Sequence, residues 1–245
     1  SRLYNVEFNY NFQSLFDIFD MQVGAQWRQY DLFTEGTVFL EDPDGDGVNE
    51  RIHINEYGAY LQIGKKFFDD RLKLQASARY DKNENFKGQI SPRVSAVYTA
   101  GEKKMHNVRA SWQTGFRNPA TQDQYIFFPG SAGTLIGSTE ANAAQFGIHN
   151  GGAYTESSVA AALAAAAAGD PNAGDLLEII DIPYVQPEKL NAVEIGYKGV
   201  IKNKLLLDFN AYFNIYKDFM VEQTVVPRAG VVAGGIYYQG ADNIL

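Results

Sequence analysis

Apolar and polar residues alternate along most of this 245-residue chain, and the alternation falls into eight segments. In segment 2–12, Tyr4, Val6, Phe8, Tyr10 and Phe12 share one face, while Asn5, Glu7, Asn9 and Asn11 share the other. Segment 19–31 sets Met21, Val23, Ala25 and Trp27 against Gln22, Gln26 and Arg28. The same rhythm runs through 57–67, 71–82, 93–99 and 105–117, and returns at 193–200 and 205–219. In 205–219, Leu207, Phe209, Ala211, Phe213 and Ile215 oppose Asp208, Asn210, Tyr212 and Asn214. A period of two puts successive side chains on opposite sides of a strand, so each segment predicts a strand with one apolar and one polar face.

A soluble antiparallel sandwich also alternates, because one face of each sheet is buried. Length and polarity argue for a different solvent. A tilted strand of about 9–11 residues crosses a bilayer, whereas soluble strands cluster near 5–6 residues. The polar faces carry Arg, Lys, Gln, Asn and Glu, which suits a wet lumen. The apolar faces carry few charges, as lipid requires: a Lys or Arg at the midplane costs roughly 2–4 kcal/mol. Connections alternate as well. Those near 14–17, 68–70, 101–104 and 202–204 are short, while 33–56, 83–91 and 118–186 are longer. Short periplasmic turns and long outer loops mark outer-membrane barrels. The expected fold class is therefore all-β, with antiparallel transmembrane barrel strands. Residues 1–245 form one partial barrel, with extracellular loops at about 33–56, 83–91, 118–186 and 220–245. One Ala-rich helix, 157–168, is capped by Thr155 or Ser157 and ended by Gly169 and Pro171. It is expected to pack on the barrel rim through Val159 and Leu163.

Composition narrows the choice. With no cysteine, neither disulfides nor thiolate metal sites exist here. A net charge of −8 argues against a nucleic-acid partner. The longest uncharged apolar run, 159–168, is half of what a spanning helix needs, so a membrane crossing must use strands. The chain opens directly on a strand pattern without a secretory signal, so a mature or truncated piece is expected.

Several stretches resemble TonB-dependent receptors. Ser91-Pro92-Arg93-Val94-Ser95 opens a strand as in that family. His106-Asn107-Val108-Arg109-Ala110-Ser111, with Gly115-Phe116-Arg117-Asn118-Pro119, resembles its strand ending in G-F-R-x-P. Pro187-Glu188-Lys189 with Glu194-Ile195-Gly196-Tyr197-Lys198, then Tyr212 and Tyr216-Lys217-Asp218, resemble its next two strands. The style is closest to large nutrient receptors with a carboxypeptidase-regulatory-like N-terminal domain. The resemblance implies an outer-membrane importer of 22 strands, about eight of them here. Its partners would be the lipid bilayer, lipopolysaccharide, a small nutrient ligand (oligosaccharide, peptide or chelated metal), and the TonB complex, reached through a plug absent from this chain. A surface lipoprotein is a further candidate partner. Two alternatives stay open at this point: a small self-contained eight-stranded barrel acting as a passive pore or adhesin, and an outer-membrane rim hydrolase.

Candidate chemistry lies in the loops. Asp42, Asp44, Asp46 and Glu50 surround Gly45 and Gly47 in a partial calcium-loop pattern, in which alternate carboxylates converge on a hard cation. Position twelve of that pattern is His53 rather than Glu, and a solvated acidic loop tip is the plainer reading. The substrate-binding candidates are Arg117, Gln122, Gln124, Tyr125 and Phe127. Glutamine and tyrosine offer hydrogen bonds without charge, and aromatic rings offer stacking. Equally, they pack the loop onto itself. Loop 118–186 holds seven acids and no Lys or Arg, which disfavours an anionic ligand there. His53, His106 and His149 lack metal-ligand spacing and no catalytic motif appears, so no catalytic residue is assigned and the chain is not read as an enzyme.

Overall fold

The computed structural model describes residues 1–12, 19–42, 46–130, 133–228 and 235–241. Six strands come first: β1 (Arg2–Phe12), β2 (Asp20–Leu32), β3 (Ile52–Phe67), β4 (Leu72–Asn83), β5 (Gln89–Ala100) and β6 (His106–Arg117). A long excursion follows, with α1 (Thr121–Tyr125), β7 (Phe127–Gly130), β8 (Gly133–Ile136), α2 (Glu140–Ala143), β9 (Ala153–Thr155), α3 (Glu156–Ala167) and β10 (Ile179–Ile180). Then come β11 (Glu188–Ile201), β12 (Leu205–Lys217), β13 (Phe219–Pro227) and β14 (Gly235–Ala241).

The eight long strands form one antiparallel wall in the order β1-β2-β3-β4-β5-β6-β11-β12. Its register shows what holds it in place. Reading across the ladder, Phe12, Met21, Ile63, Ala76, Val94, Trp112, Val193 and Phe213 pair in one unbroken apolar row. One residue away runs Asn11, Gln22, Gln62, Ser77, Arg93, Gln113, Ala192 and Asn214, polar except at Ala192. A slip of one residue in any strand would exchange the two faces, so the pattern specifies the pairing strongly. The apolar row is not covered by protein: Val94 is 51% exposed and Phe213 61%. A dry sandwich core would bury both, so the soluble alternative fails and the apolar face meets lipid.

The wall is an open sheet whose edges are β1 and β12. Eight strands therefore do not close on themselves, which removes the self-contained small barrel.

Polar side chains on the lumen face pair with one another. Arg79 and Asp81 approach to 2.6 Å, Lys198 and Asp208 to 3.4 Å, and Arg109 lies 3.5 Å from Glu194. Gly24 makes room on this face for the Tyr60 ring, whose hydroxyl donates to Asn9 Oδ1 at 2.6 Å. The short turns at 68–71, 101–105 and 202–204 lie at one end of the wall; the turn near 14–17 lies outside the described residues.

The long-loop end is more ordered than expected. The loops are tighter, 33–51 and 84–88, because β3 begins at Ile52 and β5 at Gln89. Region 118–186 is not a loop with one helix. Together with β13 and β14, within the expected loop 220–245, it builds a six-stranded sheet in the order β10-β9-β13-β14-β8-β7. Ile136, Ala143, Ile148, Ala153, Ile182 and Val225 are fully buried against it. Each buried Ile or Val contributes about 1.5–3 kcal/mol, so this layer is a core in its own right.

Helix α3 starts where expected, with the Thr155 hydroxyl accepting from Ser158 N at 3.3 Å. Its packing differs from expectation. Leu163 is 67% exposed, and Ser158 and Ala162 are the buried residues. The cap at Thr155 sets the helix phase, and the small pair at i and i+4 lets α3 lie close against the Ala173–Leu176 turn, β9 and β13.

Candidate functional site

At the long-loop end, the tops of β2, β3, β4 and β6 and the start of the excursion surround a cavity of about 460 Å³. Gln26, Arg28, Glu56, Asn83, Asn118 and Gln124 line it. Alternation along the strands supplies the first four, since lumen-facing residues recur every second position. Charges in this wall are held by the protein itself: Asp81 pairs with Arg79, and Lys82 Nζ donates to the backbone oxygens of Asn83 and Phe86. Arg28 lies 3.5 Å from Glu56, whose Oε1 also accepts from Asn83 Nδ2 at 2.9 Å and Asn118 Nδ2 at 3.3 Å. With Glu56 satisfied, the cavity presents mainly amide groups and aromatic surface from Tyr30.

Three loops meet beside this cavity as one packed body. Asn85, in the β4–β5 loop, donates to Gln124 Oε1 at 2.6 Å and shares a hydrogen bond with the Tyr125 hydroxyl. Gln124 Nε2 donates to Pro119 O at 2.7 Å. From the β2–β3 loop, Val38 O accepts from Phe127 N at 2.8 Å, and Phe39 bridges Ile126. Leu32, Phe39, Ile54 and Tyr125 make a second small core there. Burial raises the Tyr125 hydroxyl above its ordinary pKa, partly offset by Asn85. Gly137 crosses behind: a Cβ there would stand 2.5 Å from Gln124 C and Tyr125 N, so only glycine lets the two backbones meet.

Two further contacts tie the site to the wall and the second sheet. Arg117 Nε donates to Glu188 Oε2 at 2.7 Å, and Glu188 Oε1 accepts from Met220 N at 3.0 Å. One buried carboxylate thus joins β6, β11 and β13. Deeper in the excursion, His149 Nδ1 lies 2.5 Å from Ile182 O, with its ring against Tyr184. Burial pushes its pKa below the ordinary 6.5.

The sequence candidates are therefore dispersed in role. Gln124 lines the cavity, and Tyr125 lies beside it, buried. Arg117 stands at the lumen rim, Gln122 is exposed on α1, and Phe127 stacks on Phe146 at 5.3 Å. In the acidic loop, Asp42 accepts from Asp46 N and Gly47 N at 3.0 Å each, and Asp46 accepts from Val48 N at 2.7 Å. Among the described residues no three acidic or histidine side chains converge to hold a metal; Asp44 lies outside them. Sequence reasoning missed Asn85, Glu56 and Asn118. No spacing rule links Asn85 to residues 39 and 40 positions later. Glu188 had a signal, in the Pro187-Glu188-Lys189 motif.

Comparison with known proteins follows the same lines. Residues 1–243 match the family described as TonB dependent receptor-like, beta-barrel. No curated protein matches the chain. Among solved structures, it is similar to the siderophore receptor PirA from Pseudomonas aeruginosa (TM-score 0.60, 15% identity, 98% of this chain and 34% of that one). It is similar to the ferric enterobactin receptor PfeA from the same organism (TM-score 0.58, 12% identity, 98% and 31%). It is also similar to the outer membrane transporter YddB from Escherichia coli (TM-score 0.60, 11% identity, 97% and 28%). The chain spans about a third of the length of these proteins, and at such identities the likeness is one of fold.

Proposed function

Since this chain belongs to the TonB-dependent receptor β-barrel family, and is outer-membrane wall rather than enzyme, we propose that the intact protein imports a nutrient by active transport. In this reading the long-loop end faces outward and captures the ligand. A plug outside this chain blocks the lumen until the TonB complex moves it. The observation that carries the proposal is the two-faced wall, whose polar face leads into an amide-lined cavity at the long-loop rim.

The finer reading concerns the nutrient, which could be an oligosaccharide, a peptide or a chelated metal. Of the charges lining the cavity, Arg28 pairs with Glu56, Asp81 pairs with Arg79 and the Lys82 ammonium is taken up by backbone carbonyls, while 118–186 contributes no Lys or Arg. An uncharged ligand rich in hydroxyl or amide groups suits such a surface, because each of its polar groups finds a partner without an unpaired charge. Gln124 and Asn118 would touch it, and Arg117 and Gln122 would flank it. Tyr125 and Phe127 would hold the mouth rigid from behind. The test is solute depletion by cells carrying the intact gene, with and without a working TonB complex. One class of neutral solute should disappear from the medium only when both are present. Depletion that continues without TonB would mean a passive pore and would end the proposal.

A further inference from the structure

We propose that the outer face of β3, β4 and β5, near the short-turn end, holds one anionic phospholipid of the short-turn leaflet. A groove of about 350 Å³ runs there between Ile63, Phe67, Leu74, Ala76 and Val94, with Lys65 at its edge. The register explains the groove. Ala76 pairs with Ile63 on one side and Val94 on the other, so a methyl group sits between two larger side chains in the apolar row. The gap is lined by apolar atoms, the surface an acyl chain needs. The whole outer face touches lipid, but here a recess and a cation coincide.

Lys65 shares the lipid-facing parity of Ile63 and Phe67 and is exposed, with its ammonium 5.4 Å from the Phe67 ring centroid. It forms no ion pair among the described residues, whereas its neighbour Lys66, on the other face, pairs with Asp70. An ammonium on a lipid-facing position reaches toward the headgroups along its own methylene stem. The surrounding rim has the matching sign. Residues 65–71, 101–105 and 202–204 carry seven Lys or Arg against three acids. At the opposite end, loops 33–51 and 118–187 carry six and seven acids with a single base, Arg51. An acyl chain in the groove would place a phosphate beside Lys65, within a field that favours anions.

The intact receptor, purified in mild detergent, tests this by native mass spectrometry with phosphatidylglycerol or phosphatidylcholine added. One phosphatidylglycerol should be retained in preference to phosphatidylcholine. Ala76→Phe, which fills the groove on a lipid-facing site, should abolish that retention. Lys65→Gln should weaken it about five-fold, and Lys65→Arg should keep it. Equal retention of the two lipids, no effect of Ala76→Phe, or an equal loss on Lys202→Gln at a distant turn would each overturn the proposal. The last result would mean general attraction to the basic rim.

Discussion

Asn85 serves two partners with one amide, and its loss would leave the Tyr125 hydroxyl and Gln124 carbonyl short of hydrogen bonds in a buried place. Asn85→Ala should cost about 1–3 kcal/mol locally, the desolvation cost of an unsatisfied buried group. In the intact receptor this would appear as faster proteolysis within 118–187; cleavage at the wild-type rate would contradict it. Gly137→Ala should open the same region further, since the atoms in its way are backbone and cannot swing aside. His149 makes the region sensitive to pH. Its folded pKa lies below 6.5 because burial disfavours the imidazolium. Below that value the unfolded loop takes up the proton more readily than the folded one, so stability falls as pH drops. Protection of 118–187 should decline below about pH 6.5, and His149→Gln should flatten the dependence. At this scale the sequence is only partly legible. Gln124 and Tyr125 stand out as a polar-aromatic pair, but which group satisfies them depends on contacts between loops.

Elements were legible in proportion to their length. The eight wall strands show because a period of two sustained over many residues has one interpretation at each position. Their ends were harder to see. Ile52 and Ile54 sit on the lumen parity of β3, with Glu56 and Gln62, so the apolar pattern reverses there inside an acidic stretch and reads as loop. Ile54 is instead buried in the small core with Leu32, Phe39 and Tyr125. The second sheet was not legible, since its strands in 127–180 have two to four residues, too few to display a period. Helix α3 shows the same limit in another form. Its capping residue and composition identify it, yet an all-Ala surface does not reveal which side is buried. The phase observed makes opposite demands on adjacent residues. Ala162→Leu should overpack the buried side of α3, which packs on the 173–176 turn, β9 and β13, and cost about 1–3 kcal/mol. Leu163→Gln should change stability by less than about 0.5 kcal/mol. Thermal unfolding of the two variants, compared by loop proteolysis, checks the order; a larger loss for Leu163→Gln would place the buried side wrongly.

On the scale of the molecule, one wall separates two solvents. Backbone groups facing lipid have no water to pair with, so every ladder must be complete and the edges β1 and β12 need neighbours. The long-loop end carries its own apolar cores, while the wall has its apolar side outward. That inversion was visible in the sequence through strand length and the parity of the connections. Which strand pairs with which across the excursion, β6 with β11, follows from the matching rows rather than from chain order. The most direct measurement uses the absence of cysteine in this chain. Single cysteines would be placed at successive positions of β12, from Phe209 to Ile215, in an intact receptor cleared of other thiols. Labelling should alternate: Phe209, Ala211, Phe213 and Ile215 react with a lipid-soluble maleimide, and Asn210, Tyr212 and Asn214 with a charged, water-soluble one. Uniform labelling along the strand, or protection of the Phe209 and Phe213 positions from both reagents as in a dry protein core, would contradict the account.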